Sequence, residues 1–311
     1  MKAITIDDAN SNQRFDKYLK RILSNATSSF IYKMLRKKNI TLNDKKADGS
    51  EKLVKGDIIK IWFSDETFEK MSGQNESSPD FEKLKLISHN IDIIYEDNNL
   101  IVINKPSGIM SQKAQENDVS INEMALSYMI ANGELTEESY RIFHPSICNR
   151  LDRNTSGIVL FAKNLRTAQR LGEALKERTC KKLYHAIVVG QIESPQEIDA
   201  YLKKDDALNK VEILSKPSDD TKHIRTAYRP IMALKNNLTL IEIHLITGRT
   251  HQIRAHLASI GHPILGDMKY GNRDLNHKYK ASSQLLHAYS IEFEDGSKYI
   301  AKEPGEFNAY I

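Results

Sequence analysis

The sequence predicts an α+β protein made of a small N-terminal α+β module and a larger domain with a mixed, mostly antiparallel sheet flanked by helices. Strand-like runs outnumber helical runs and do not alternate with them regularly, which argues against repeated βαβ units. An acidic, apolar-poor stretch, with Ser-Gly-Gln-Asn-Glu-Ser-Ser-Pro at 72–79, separates two apolar-rich parts. We therefore expect a module at 1–63, a flexible linker at 64–83 and a second domain at 84–311.

The N-terminal module shows two helical patterns and then short strands. Apolar side chains recur at helical spacing over 14–23. A second helix is expected over 28–38, because Thr27 and Ser28 are good N-caps. Short strands are expected at 40–42, 52–54 and 58–63.

Positive charge is concentrated in this module. Residues 1–63 contain 14 Lys and Arg against 7 Asp and Glu, a net charge of +7, whereas the whole chain carries +4. Four basic side chains gather towards the end of the second helix: Lys33, Arg36, Lys37 and Lys38. Such a cluster is typical of phosphate contact. Lysines are also favoured at a helix C-terminus by the helix dipole and by solvent, so charge alone leaves both interpretations open.

The remaining gross features favour a soluble cytoplasmic protein with no membrane partner. The chain has two cysteines, Cys148 and Cys180, which argues against a disulfide framework and favours a reducing compartment. The N-terminus lacks the apolar core of a secretory signal, and no apolar run approaches the length of a bilayer span. Nothing in the sequence demands more than a monomer.

The second domain contains eight strand-like runs and three helical runs. The strands are predicted near 91–95, 100–104, 157–162, 183–189, 210–214, 224–234, 238–246 and 285–293. The helices are predicted near 120–131, 165–177 and 250–260.

Candidate chemistry begins with Asp152, in Asn-Arg-Leu-Asp-Arg-Asn-Thr-Ser-Gly at 149–157. A carboxylate beside Arg150, just before a predicted strand, suits nucleophilic or acid/base catalysis on a polyanionic substrate. The alternative is that this aspartate only stabilises a turn. Cys148 is also a candidate nucleophile, but a small buried cysteine is the more common case.

A second segment, 245–257, runs from a strand through a Thr-Gly turn into a helix. Arg249 and the backbone N–H groups at the helix start suit an anion. Arg254, five residues on, is expected to be buried and to need a carboxylate. Asp152 is the obvious partner, in a bidentate pair that orients it. His251 and His256 are five residues apart, which argues against a metal site.

Two further residues have functional and structural interpretations. Tyr184 lies in a strand and faces the same side as Ala186 and Val188, so it either belongs to the core or packs against a turned-out base. Lys105 ends a strand at a Lys-Pro-Ser-Gly turn, so it either neutralises a phosphate or serves the turn.

These segments together closely resemble the Rlu-type pseudouridine synthases over nearly the whole chain. The matching blocks are 104–108, 150–157, 182–186, 247–254, 261–267, 270–271 and 286–288. The N-terminal module resembles the small RNA-binding domain first seen in ribosomal protein S-four. One departure is Asn149, where the family usually has histidine.

The resemblance implies an isomerase that detaches uracil, turns it over and rejoins it to ribose through carbon, without a cofactor or metal. It implies that Asp152 is the catalytic aspartate, Arg254 its arginine partner and Tyr184 the pocket tyrosine. Arg150 would fill the gap left by the flipped base. Whether Asp152 attacks the ring, attacks the sugar or removes a sugar proton stays open. Large-subunit ribosomal RNA is the expected substrate, with transfer RNA as the alternative. A non-catalytic RNA-binding factor and a metal-dependent hydrolase are the rival functions.

Overall fold

The structure is a computed structural model and describes residues 1–73, 79–205 and 210–311. Its helices are α1 Phe15–Ile22, α2 Ser28–Arg36, α3 Asp65–Ser72, α4 Pro79–Lys85, α5 Ile121–Ala131, α6 Glu137–Ile142, α7 Leu165–Glu177, α8 Gln252–Ser259, α9 Arg273–Lys278 and α10 Gly305–Asn308. Its strands are β1 Lys2–Thr5, β2 Ile40–Leu42, β3 Ile58–Ile61, β4 Ile93–Glu96, β5 Leu100–Lys105, β6 Ser146–Ile147, β7 Ser156–Ala162, β8 Lys181–Val189, β9 Gln196–Asp205, β10 Lys210–Leu214, β11 Thr221–Leu234, β12 Leu238–Leu245, β13 Leu286–Glu292 and β14 Lys298–Ile300.

The N-terminal module packs α1 and α2 against a three-stranded antiparallel sheet in the order β1-β3-β2. Thr27 caps α2 by accepting a hydrogen bond from the Phe30 N–H, as its residue type predicts. The strand expected at 52–54 is reduced to a single bridge between Lys52 and Arg14. That prediction was wrong because the segment pairs with the loop before α1 instead of with another strand.

The stretch expected to be a flexible linker contains helices at both ends. Ser64 caps α3, and Phe68 is buried in the core of the N-terminal module. Phe81 and Leu84 of α4 are buried in the core of the second domain. Four of the six acidic residues of this stretch lie in the first turns of these helices, where the helix dipole favours negative charge: Asp65, Glu66, Asp80 and Glu82. The central part of the expected linker, 74–78, lies outside the described residues.

The second domain is built on an eleven-stranded sheet, in which the main path runs β10-β9-β11-β12-β8-β13-β7-β5-β4. Two short strands join from the side, β14 on β13 and β6 on β7. Within the described residues, β13 and β7 form the one parallel pair, and the other strand pairs are antiparallel. The predicted α+β class with a mixed, mostly antiparallel sheet is confirmed.

The two faces of this sheet have separate cores. Tyr184, Ala186 and Val188 of β8 share one core with α5 and α8, as the strand alternation predicts. The opposite face packs Leu100, Leu160 and their neighbours against α7. The candidate residues Asp152, Tyr184 and Arg254 lie together at one end of the sheet face that α5 and α8 cover.

Gly157 explains how β7 and β13 come so close at this end of the sheet. Its φ angle is +109°, and a Cβ atom there would lie 2.3 Å from the carbonyl oxygen of Ala288 in β13. An alanine would therefore be excluded both by its backbone conformation and by its volume. In the part of the chain that the structure describes, no helix is long and apolar enough to cross a membrane.

Candidate active site

The loop that carries Asp152 lies between β6 and β7 and is held by its backbone. The Asp152 carbonyl accepts a hydrogen bond from the Thr155 N–H at 3.0 Å, which closes a turn. The buried Ser111 hydroxyl accepts from the Leu151 N–H at 2.9 Å and donates to the Leu151 carbonyl at 2.8 Å. Both backbone polar groups of the residue immediately before Asp152 are thus bonded, which fixes the backbone that carries the carboxylate.

Lys105 supports the same loop through hydrogen bonds from its buried side chain. Its side chain is fully buried, and its ammonium donates to the carbonyls of Pro106, Ile109 and Arg153 at 2.7–3.0 Å. Burial lowers the pKa of Lys105 to about 7, although the negative charge of Asp152 opposes the change. The phosphate contact predicted for Lys105 was wrong, because backbone carbonyls cover its ammonium. Lys105 instead serves the turn, the alternative that the sequence left open, and holds it against Arg153.

Asn149 has a comparable role on the other side of the loop. Its amide donates to the Ile158 carbonyl at 3.0 Å and accepts from the Leu160 N–H at 2.8 Å. Both polar atoms of the side chain are therefore occupied by the backbone of β7. In this chain Asn149 therefore fixes the start of the loop to β7.

Arg254, on α8, connects two carboxylates. Its Nη1 donates to Asp152 Oδ2 at 2.8 Å, as the sequence predicts. Its Nε and Nη2 donate to Asp267 Oδ2 and Oδ1 at 2.7 and 2.9 Å. The expected bidentate pair with Asp152 is therefore corrected: Asp267 is the bidentate partner, and Asp152 receives a single hydrogen bond from the remaining nitrogen.

The buried pair explains why Arg254 is a fixed feature of the site. Burial alone would raise the pKa of Asp267, but the hydrogen bonds and charge of Arg254, with the N–H groups of Tyr270 and Lys269, lower it below its usual value. Burial would lower the pKa of Arg254, but the two carboxylates raise it instead. Both groups stay charged at neutral pH, so the guanidinium presents a fixed donor to Asp152.

His251 and Tyr270 complete the surroundings of Asp152. His251 has a left-handed backbone, with φ of 54°, and its Nε2 lies 3.8 Å from Asp152 Oδ2. The His251 Nδ1 is 3.0 Å from the Tyr270 hydroxyl. The centre of the Tyr270 ring lies 5.3 Å from the Arg254 guanidinium carbon. The Tyr270 hydroxyl accepts from the Val211 N–H, which favours donation of the phenolic proton to Nδ1. The pKa of His251 is lowered by burial, although Asp152 opposes the change.

Asp152 opens into a cavity of about 670 Å³ whose other charged lining residues are cationic. These are Arg150, Lys176, Arg178, Lys182, Arg249 and Arg254. The Asp152 side chain is 28% exposed, so the carboxylate is accessible from this space. Such a wall suits a polyanionic ligand, and the carboxylate is placed to act as a nucleophile or a base.

The structure brings the predicted residues Asp152, Tyr184 and Arg254 to this cavity, together with Arg150 and Arg249. Burial and the negative charge of Asp152 raise the pKa of Tyr184, so its phenol is neutral at physiological pH. The Arg249 N–H is taken by Gln252 Oε1, so at this residue the side chain alone is offered to an anion. The basic cluster on α2 does not line the cavity.

The other reactive groups do not form a competing site. Cys148 lines the cavity, but burial raises the pKa of its thiol to about 11, which keeps it protonated at neutral pH. Among the described residues, no group of three His, Cys, Asp or Glu side chains could hold a metal ion. His256 is buried with its Nδ1 on the Thr226 hydroxyl.

Sequence reasoning missed several residues of this site. Asp267 lies in the 261–267 block, but its role depends on the turn after α8 folding back under Arg254. Lys176, Arg178 and Lys182 reach the cavity from the end of α7 and the start of β8. Lys182 lies in β8 two residues before Tyr184, so strand alternation places both side chains on the same face.

Known proteins are similar to this chain over the region that forms the site. The family model for RNA pseudouridylate synthase matches residues 99–259, which contain Asp152, Tyr184 and Arg254. Ribosomal large subunit pseudouridine synthase C of Rickettsia conorii is 36% identical over 306 residues, 95% of each chain. The protein of the same name from Haemophilus influenzae is 33% identical over 298 residues, 94% of this chain and 87% of that one.

Among solved structures, Human RNA Pseudouridylate Synthase Domain Containing 1 has a TM-score of 0.58 and 22% identity, over 71% of this chain and 88% of that one. This likeness concerns the fold. The family match covers more than half of the chain, and the two curated relatives align along almost all of it. The chain therefore belongs to the RNA pseudouridylate synthase family, whose members are isomerases that act on RNA.

Proposed function

We propose that this enzyme converts uridines of large-subunit ribosomal RNA to pseudouridine, with Asp152 as the catalytic carboxylate. The observation that carries the proposal is the position of Asp152, an accessible carboxylate in a cation-lined cavity, held by a buried arginine. The printed names of the Rickettsia and Haemophilus relatives support ribosomal RNA as the substrate. No step requires a cofactor or metal.

Five side chains of the cavity have distinct roles in this proposal. Arg254 orients Asp152 and balances its charge while the carboxylate attacks the ring or the sugar, or removes a sugar proton. The Tyr184 ring packs against the turned-out uracil. Arg150, exposed at the edge of the cavity, fills the space that the base leaves in the RNA stack, and Arg249 binds a neighbouring phosphate.

The N-terminal module serves as a second RNA-binding surface, of the kind first seen in ribosomal protein S-four. Support comes from its net charge of +7 and from the exposure of four basic residues on α2 and directly after it: Lys33, Arg36, Lys37 and Lys38. Changing all four to Glu should weaken RNA binding and make it less dependent on salt. Each lost phosphate contact lowers the slope of log K against log salt by roughly 0.7–0.9.

Charge reversal is a cleaner test than deleting residues 1–63. Phe68 of α3 and Ile142 of α6 pack against the core of the N-terminal module, so the deletion would expose apolar side chains elsewhere. An unchanged salt slope in the charge-reversed variant would show that this cluster is merely solvated.

The substrate class is tested by tritium release from RNA labelled at carbon five of uracil. We expect release from large-subunit ribosomal RNA and little from bulk transfer RNA. Release from transfer RNA alone would retain the reaction and overturn the substrate. Absence of release from free RNA and from assembly intermediates of the large subunit would favour a non-catalytic RNA-binding factor.

The same proposal places the enzyme in the cytoplasm as a monomer. Both cysteines are free, which suits a reducing compartment. Sedimentation of the purified protein at micromolar concentration tests the monomer, and a dimer would contradict it.

A further inference from the structure

Trp62, the single tryptophan of the chain, is 53% exposed at the end of β3. Its neighbours Ile59 and Ile61 are fully buried in the core of the N-terminal module. Because side chains alternate along a strand, Trp62 projects from the opposite face of the sheet, on the side of Ile58 and Lys60. A large aromatic ring exposed to solvent directly after this strand is available for a ligand.

The backbone of Trp62 is bonded to the turn that follows the basic cluster at the end of α2. The Trp62 N–H donates to the Asn39 carbonyl at 2.8 Å, and Asn39 directly follows Lys37 and Lys38. The turn between them is itself fixed, because the Asn39 N–H donates to the Met34 carbonyl at 2.9 Å and the Lys38 N–H to the Leu35 carbonyl at 3.0 Å. The ring and the cationic side chains are therefore attached to one ordered corner of the module.

Charge selects the class of ligand. Lys33, Arg36, Lys37 and Lys38 are all exposed. The adjacent Lys60 is paired with Asp44 at 2.6 Å, so it is not counted in the cluster. An exposed aromatic ring and exposed cations on the same corner of the module suit a strand that offers a flat base and a phosphate at short intervals, which is single-stranded nucleic acid.

We propose that Trp62 forms a base-stacking subsite that takes an unpaired nucleobase of an RNA strand whose phosphates lie on the basic cluster of α2. This inference rests on the proposed RNA binding by the N-terminal module. It adds a preference that charge alone does not provide: the module selects RNA with an unpaired base over a continuous duplex.

The experiment uses the full chain and the fluorescence of its single tryptophan. A single-stranded RNA oligonucleotide of mixed sequence is titrated against the protein, followed by the same sequence in a blunt-ended duplex. We expect the single strand to quench Trp62 and the duplex to leave it nearly unchanged. Because no other tryptophan exists in the sequence, the signal reports on this site and not on the cavity.

Affinity variants separate stacking from charge. Trp62→Ala should weaken single-strand binding by about 5- to 150-fold, the range expected for one stacked base, whereas Trp62→Phe should stay within about threefold. Ile58→Ala is the matched control, since Ile58 is 41% exposed on the same face of β3, and it should leave affinity unchanged.

Charge reversal of the four basic residues distinguishes the two ways of failing. If it weakens binding while Trp62 is neither quenched nor needed for affinity, the subsite is overturned and RNA binding by the module stands. If it leaves affinity and salt slope unchanged, the module's RNA-binding role fails and the subsite fails with it. Equal quenching by single strand and duplex would also overturn the stacking subsite.

Discussion

Asp267 offers a sharp test of how the active site is held, because it never lines the cavity yet fixes Arg254. We expect Asp267→Asn to lower both stability and turnover. Asp267 is fully buried and Arg254 is 7% exposed, so their two hydrogen bonds belong to the buried class of ion pairs. Removing one partner of such a pair costs about 3–5 kcal/mol, against at most about 1 for a surface pair.

The geometry gives the reason for this magnitude. Asparagine keeps Oδ1 as the acceptor for the N–H groups of Lys269 and Tyr270. Its amide nitrogen then replaces Oδ2 and meets the Arg254 Nε–H, donor against donor. The guanidinium is expected to shift away from Asp152, and a misplacement of about 1 Å in an active site can cost on the order of 100-fold in rate.

Urea unfolding at pH 7 measures the stability change, and tritium release from uracil-labelled RNA measures turnover. The double variant Asp267→Asn with Arg254→Met is the control. It removes the buried cation that has lost its bidentate partner, so it should recover part of the lost free energy of unfolding while turnover stays low. An Asp267→Asn enzyme with normal stability and normal turnover would refute the role assigned to this pair, as would recovery of turnover in the double variant.

Two further predictions concern residues around the site. Asn149→Ala removes the side-chain amide that bonds to the Leu160 N–H and the Ile158 carbonyl. The free energy of unfolding should therefore fall by about 1–3 kcal/mol in urea titrations. An unchanged value would contradict the role of Asn149 in holding the loop. His256 is fully buried, and burial lowers its pKa to about 4. Between pH 4 and the ordinary pKa near 6.5, His256 binds a proton in the unfolded chain but not in the folded one. The free energy of unfolding should therefore fall by up to about 1.4 kcal/mol per pH unit as the pH drops through this window. His256→Leu should flatten this arm of the stability profile, and an equally steep profile would show that other groups cause it.

The sequence was informative wherever local periodicity decides structure. The eight strands and three helices predicted for the second domain all occur, within a few residues of their expected ends. β9 was missed because its apolar side chains are sparse and its exposed face and end are charged. The helices α3 and α4 were missed because their acidic first turns resemble linker composition.

The site was predictable to the extent that single motifs contain it. Asp152, Tyr184 and Arg254 lie in separate segments, yet each carries a side chain whose chemistry is visible locally, and the fold brings all three to one cavity. The bidentate partner of Arg254 could not be predicted, because a pattern shows that an arginine needs a carboxylate without showing which distant turn supplies it. The same reasoning applies to Lys105, whose burial under three carbonyls is a property of the folded turn.

The most direct test of the central claim is the comparison of wild type with Asp152→Asn in two measurements on the same RNA. Tritium release reports isomerisation, and a filter-binding titration reports affinity. We expect the substitution to abolish release and to change affinity by no more than a few-fold, because the cationic wall and the N-terminal module are intact. Turnover retained by Asp152→Asn would contradict the assignment of Asp152 as the catalytic carboxylate.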